Sequence, residues 1–193
     1  MSNWEWIGLT NHEYEIVCVP EIYLDNIAKT QIAKLLTACF PEENFQGRHY
    51  FKQLPHYRLL LKVHGQIIAQ LALDYRMMTL NQDPIRVLGF IDLAVLPQYQ
   101  KQGYARELLE HVEKIFSDLF LNIDFMLLTT EKFEFYQKFG FKRTRQKVKW
   151  LAMDNHQNYG LKEEWIDDCL MYKSLTQKAW VDGADLDFLG YWY

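Results

Sequence analysis

Two rhythms of hydrophobic and polar positions run along the chain, one of period two and one close to 3.6. Residues 14–19 alternate and are β-branched enough for a first strand, which Pro20 ends. Across 22–40, Ile22, Ile27, Ile32, Leu35 and Leu36 fall near helical spacing, and Pro41 follows as a stop. The polar stretch 42–53 reads as a short helix or a loop. Residues 57–63 and 66–78 are strand-like runs around the short turn His64-Gly65. Asn81-Gln82-Asp83-Pro84 is a second turn signal, and 85–96 reads as a third strand closed by Pro97, which makes an antiparallel meander. The clearest helix is 103–119. Ala105, Leu108, Leu109, Val112, Ile115, Phe116 and Leu119 make its apolar face, opposite Arg106, Glu107, Glu110, Glu113 and Lys114. Beyond it come a short buried strand (125–128), a helix (131–139) stopped by Gly140, and an exposed strand (141–151). A loop (155–160), a last strand (169–173) and an irregular tail (175–193) complete the chain. The crossover through the long helix predicts that the strands before and after it run parallel.

Composition narrows this picture. A chain of 193 residues with 49% hydrophobic content suits one folded domain and excludes a disordered one. The formal charge of −4 argues against a nucleic-acid partner, which demands a basic face, and leaves room for a cationic or amine substrate. Cys18, Cys39 and Cys169 form no C-x-x-C pair and read as reduced thiols. With no signal-peptide pattern at the start and no bilayer-length apolar run, the expectation is a soluble cytoplasmic protein without a membrane partner, monomeric or homodimeric. His12, His49, His56, His64, His111 and His156 show no ligand spacing, so no metal is expected and they read as surface or loop residues.

The chemistry concentrates in Leu93-Ala94-Val95-Leu96-Pro97-Gln98-Tyr99-Gln100-Lys101-Gln102-Gly103-Tyr104-Ala105. A strand ends at a proline, a polar loop follows, and a glycine opens an amphipathic helix. Amide hydrogens at such a helix start, reinforced by the helix dipole, suit a phosphate. An ordinary strand-to-helix connection reads the same way on glycine placement alone. Neither G-x-G-x-x-G nor G-K-[ST] is present, which excludes a nicotinamide fingerprint and a Walker loop.

Gln100-Lys101-Gln102-Gly103-Tyr104-Ala105 resembles the Q/R-x-x-G-x-G/A pyrophosphate loop of the GNAT superfamily of N-acetyltransferases, and the preceding L-A-V-L-P resembles that family's central strand. Phe135-Tyr136-Gln137-Lys138-Phe139-Gly140-Phe141 is similar to the family's Y-x-x-x-G-F helix. The resemblance implies an α/β (or α+β) fold, a mixed, mostly antiparallel sheet of about seven strands flanked by helices. It implies a single GNAT-type domain over 1–174 with a tail, 175–193, packed on it. It also implies acetyl-CoA as co-substrate, contacted by Leu93, Ala94 and Val95 on the strand and by Gln100, Lys101, Gln102, Gly103, Tyr104 and Ala105 on the loop. The acceptor would be a primary amine. A narrower resemblance, through Ala38-Cys39-Phe40, His64-Gly65-Gln66-Ile67-Ile68-Ala69 and the Asp- and Trp-bearing tail, is to the aminoglycoside 2'-N-acetyltransferases. It implies substrate contacts from Glu43, Asp167 and the carboxylate of Tyr193. Ile91 stands where those enzymes carry a strand glutamate, with Asp92 one place along, and Thr129 stands where many GNAT members have Asn.

Amine acetylation requires removal of an ammonium proton, a donor for the tetrahedral oxyanion, and protonation of the departing thiolate. The expected parts are Asp92 as base, directly or through a water, the Val95 N–H as donor, and Tyr136 as acid. Asp92 reads equally as a strand carboxylate paired with Arg86 or Lys101. The basic run Lys142, Arg143, Arg145, Lys147 and Lys149 reads as a solvated strand face, with contact to the coenzyme 3'-phosphate as the minor alternative. Asp182, Asp185 and Asp187 line a cationic-sugar pocket or serve solubility. Peptide amines as acceptors, and a coenzyme-A-binding module without turnover, are the competing functions.

Overall fold

The protein is described by a computed structural model covering residues 6–10, 13–118 and 123–193. His12 and Leu119, and the Phe116 side chain, lie outside the described residues. The chain divides into two compact units, Met1–Leu73 with Ile91–Leu121, and Asp74–Phe90 with Asn122–Tyr193.

The first unit holds β1 (Trp6–Thr10), β2 (Glu15–Pro20), α1 (Asn26–Cys39), β3 (Tyr57–Val63), the start of β4 (Gln66–Leu80), the end of β5 (Asp83–Val95) and α2 (Tyr104–Asp118). β1, β2, β3 and β4 form an antiparallel ladder in sequence order. His64 and Gly65 both sit at positive φ (48° and 77°), the geometry that two-residue hairpin turns require. The expected helix from residue 22 begins later. Glu21–Tyr23 is one turn of 3-10 helix, and the Asp25 carboxylate accepts the Ala28 N–H (2.7 Å), capping a fresh start. Ile22 and Ile27 are consequently 85% and 70% exposed, while Ile32, Leu35 and Leu36 carry the buried face. These pack with Val17, Leu60, Ile67 and Ala94, and with Phe45 from the polar stretch, which is a run of turns. α2 buries Leu108, Leu109, Val112 and Ile115 as its period predicts. His111, expected at the surface, is buried beside them at 3% exposure.

The second unit holds the rest of β4 and β5, β6 (Phe125–Thr129), α3 (Phe133–Gln137), β7 (Lys142–Arg143), β8 (Gln146–Asp154), β9 (Gln157–Ile166), β10 (Leu170–Ser174) and β11 (Asp185–Tyr191). β5 and β6 run parallel, as the crossover predicts, through Val87–Phe125 to Gly89–Leu127. β10 lies antiparallel to β6 and β7. β11 runs antiparallel to β4 and parallel to β8, and β8 pairs with β9. The fold is thus α/β with a mixed, mostly antiparallel set of strands. The seven expected strands become eleven among the described residues: β1, β9 and β11 are additional, and the 141–151 strand divides into β7 and β8. The tail is not irregular, because Leu186 and Phe188 of β11 are fully buried with Met78, Val87, Phe125 and Val148. Its acids fasten it: Asp182 accepts from the Thr144 hydroxyl (2.6 Å) and the Arg145 N–H (2.9 Å), and Asp187 pairs with Lys149 at 3.1 Å. Trp180 stacks on Tyr172 at 4.4 Å. The Tyr193 ring occupies the space that a Cβ on Gly89 would need.

Candidate functional site

The end of β5 turns into α2 through a compact loop. Leu96 N–H donates to the Ile68 carbonyl (2.8 Å), and Pro97–Tyr99 form one 3-10 turn in which Tyr99 N–H donates to Leu96 O (2.8 Å). Lys101 and Gly103 follow at positive φ, 62° and 93°. A β-carbon in that region is strained, which explains the glycine. Glu107 N–H is bonded to the Gly103 carbonyl (3.1 Å), so the first-turn amides of Tyr104, Ala105 and Arg106 have no carbonyl one turn earlier in the helix. Gln100 and Gln102 fold back onto the loop, donating from Nε2 to Val95 O (3.0 Å) and Gln98 O (3.1 Å). Cys39 Sγ also donates to Val95 O (3.2 Å). The loop from Gln100 to Gly103 is exposed, and among the described residues other than its chain neighbours nothing lies within 4 Å of the Gly103 Cβ position. An exposed set of amides at the positive end of a fifteen-residue helix is chemistry that suits a diphosphate.

Upstream, Asp92 sits at φ +50°, in the left-handed region, so β5 kinks there. An aspartate tolerates this conformation better than a branched residue. Beyond the kink Ala94 points into the core, and Leu93 and Val95 are half-buried. Burial pushes the half-buried Asp92 carboxyl up to about 6, with Glu43 raising it further and Arg58 and Lys52 opposing. Glu43, expected at the substrate, therefore shares a neighbourhood with Asp92. Arg86, one of the partners expected for Asp92, engages Asp124 at 3.4 Å. Sequence reasoning missed Lys52 and Arg58; the available signal for Arg58 was an arginine set directly before the apolar run Leu59-Leu60-Leu61.

Tyr136 lies on α3 in the second unit, half-buried between Phe135 (ring centroids 5.0 Å apart) and Phe141 (5.9 Å). Its carbonyl accepts the N–H of Phe139 (3.0 Å) and of Phe141 (3.3 Å), and Gly140 at φ 82° turns the chain between them. Burial pushes its hydroxyl up to about 12, so the phenol keeps its proton throughout the neutral range. Thr129 ends β6, in register with Leu170. Asp167 is exposed, its carbonyl 3.3 Å from Arg143 Nη2. Tyr193 has different neighbours. The Arg76 guanidinium lies 4.9 Å from its ring and 4.3 Å from that of Tyr191, and Arg76 also pairs with buried Asp74. The Tyr193 hydroxyl is buried with no hydrogen-bond partner among the described residues, and burial raises it well above the usual phenol. The basic run is engaged along its strands: Arg143 lies over Phe133, Arg145 over Trp165, Lys147 pairs with Glu163 and Lys149 with Asp187. Among the described residues no cluster of three His, Cys, Asp or Glu could hold a metal ion, and no helix is long and apolar enough to cross a membrane.

Residues 55–143 match the family model of the acetyltransferase (GNAT) domain. No curated protein matches the chain. Among solved structures, the chain is similar to the GNAT family N-acetyltransferase YhbS of Escherichia coli in complex with CoA, at 17% identity and TM-score 0.58, covering 91% of this chain and 89% of that one. It is also similar to the Escherichia coli ribosomal-protein-S18-alanine N-acetyltransferase, at 16% identity and TM-score 0.51, over 85% and 96%. A probable N-acyltransferase of Enterococcus faecalis matches at 11% identity and TM-score 0.53 over 67% of this chain, which spans only 33% of that protein's length. At such identities the likeness establishes the fold.

Proposed function

We propose, from the GNAT acetyltransferase domain carried by residues 55–143, that the protein transfers an acetyl group from acetyl-CoA to the primary amine of a small cationic molecule, aminoglycoside-like or polyamine-like. The observation that carries this reading is the exposed turn at Gly103, where a short loop joins the strand end Leu93 to Val95 to the first-turn amides of α2. In this reading the amides from Gln100 to Ala105 hold the coenzyme diphosphate and the strand edge hydrogen-bonds the pantetheine arm.

The reaction then needs little else. Asp92 takes a proton from the incoming ammonium, directly or through a water, and its raised pKa leaves it ionised yet basic at neutral pH. The free amine forms a C–N bond to the thioester carbon, and the Val95 N–H supports the resulting oxyanion. Collapse breaks the C–S bond, Tyr136 gives its proton to the thiolate, and the second proton of the attacking nitrogen passes to the Tyr136 phenolate, directly or through a water, leaving a neutral amide. Glu43 beside Asp92 supplies negative charge for a cationic acceptor. Asp167 and Tyr193 are assigned to the acceptor on the family resemblance alone.

Thiol release from acetyl-CoA, screened against aminoglycosides, polyamines and short peptides, tests the proposal, with Gly103→Glu as the control that blocks coenzyme binding. Release with aminoglycosides or polyamines is expected. Release with peptides alone would replace the acceptor class. Tight coenzyme binding without release on any amine would make the protein a coenzyme-A-binding module.

A further inference from the structure

Beneath Asp92 lies a buried polar chain in the core of the first unit. Arg58, completely buried on β3, donates from Nε to Glu21 Oε2 (2.6 Å), from Nη2 to the His49 carbonyl (2.7 Å) and from Nη1 to Gln70 Oε1 (2.5 Å). His49 Nε2 lies 2.8 Å from Glu21 Oε1. Burial lowers the His49 pKa, against the opposing pull of Glu21. Gln70, also completely buried, turns its amide the other way and donates from Nε2 to the Asp92 carbonyl (2.9 Å).

Packing alone does not account for this arrangement. A buried ion pair with a buried amide is commonly matched or exceeded in stability by apolar side chains of equal volume. The kink supplies the missing reason. A residue at φ +50° leaves the regular ladder, and its carbonyl needs a partner that the neighbouring backbone no longer supplies in step. Gln70 is that partner, and Arg58, anchored by Glu21, fixes which way the Gln70 amide faces. Its Oε1 is committed to the guanidinium, so Nε2 must point at Asp92.

We propose that Gln70 and Arg58 are positioning residues, a buried hydrogen-bonded relay from Glu21 that holds the left-handed kink at Asp92 and so sets where its carboxylate stands. The inference rests on the proposed role of Asp92 as base, but the relay also has consequences that need no turnover.

Gln70→Met keeps the volume and removes both hydrogen bonds. Gln70→Asn, an amide too short to span both partners, is the second variant should Met fail to fold. Coenzyme affinity by calorimetry and far-UV circular dichroism confirm an intact fold. The Asp92 carboxyl is then followed by carbon-13 NMR titration. With the kink released the carboxylate gains solvent, and its midpoint falls by at least half a pH unit from the wild-type value. The charged groups acting on it, Arg58, Glu43 and Lys52, remain in both variants. In the same variants kcat drops about tenfold with the KM for acetyl-CoA held within twofold, the signature of a displaced group and not of lost coenzyme binding. In an Asp92→Asn background, Gln70→Met has no further effect on kcat. An unchanged titration midpoint, or an equal loss of kcat in both backgrounds, overturns the relay. A wild-type pH–rate profile in Asp92→Asn removes Asp92 as base, while the titration arm still decides whether Gln70 holds it.

Discussion

One cause, burial, leaves Asp92 and Tyr136 in opposite protonation states at neutral pH. Burial raises both, but a carboxyl raised to about 6 is ionised at neutral pH, whereas a phenol raised to about 12 is not. The rate of acetyl transfer should therefore climb with pH through an acid limb near 6 that disappears in Asp92→Asn, read from kcat/KM between pH 5 and 8. Tyr136→Phe should lower kcat by roughly a hundredfold with little change in acetyl-CoA affinity. The same carboxyl has a stability consequence. The folded chain binds its proton more tightly than the unfolded chain, so ionisation costs stability as pH rises from 3.8 through about 6. Asp92→Asn, which suits a left-handed φ equally well, should stabilise the protein at pH 7 by on the order of 1–2 kcal/mol after solvent screening, and not at pH 3.5. Paired thermal melts at the two pH values check this. Sequence alone named Asp92 but not its backbone. Nothing in Gly89-Phe90-Ile91-Asp92 marks a positive φ, and Arg58 on β3 and Gln70 on β4 show only as polar letters beside apolar runs, with nothing to link them to Asp92.

Among the elements, a buried face with a clear period makes β3 and α2 legible, and its absence hides β9. β3 and the apolar stripe of α2 follow directly from their periods, and the parallel pairing of β5 with β6 from the crossover between them. β9 was invisible because nine of its ten residues are exposed. Its pairing with β8 runs through Lys147–Glu163 and backbone hydrogen bonds, and its apolar Tyr159, Leu161 and Trp165 are themselves exposed, interrupted by Lys162, Glu163 and Glu164. α1 was placed too early for a different reason: Ile22 and Ile27 keep helical spacing, but Asp25 caps the helix between them. The loop before α2 was legible through Gly103, whose φ of 93° admits glycine and penalises every other residue. Gly103→Ala should cost about 1–2 kcal/mol of stability and weaken coenzyme A binding about tenfold, by denaturant titration and calorimetry respectively.

Across the whole molecule, the largest misreading was the segment after residue 175. Its composition, with Asp182, Asp185 and Asp187 near Trp180 and Trp192, reads as an irregular tail packed on the domain, with no strand of its own. Only long-range pairing reveals that Leu186 meets Leu80 on one side and Val148 on the other. Phe188, fully buried there, should cost about 3–5 kcal/mol when replaced by alanine, seen as a lower midpoint in urea. Asp182 and Asp187 are local fasteners, and among the described residues only Asp187 of the three acids is matched by a cation in an ion pair, Lys149. The Tyr193 ring lying where a Gly89 side chain would stand imposes a reciprocal rule on variation. In a combinatorial library randomised at both positions, survivors should trade bulk between them: alanine or serine at 89 only alongside a trimmed residue at 193, and the full aromatic only opposite glycine.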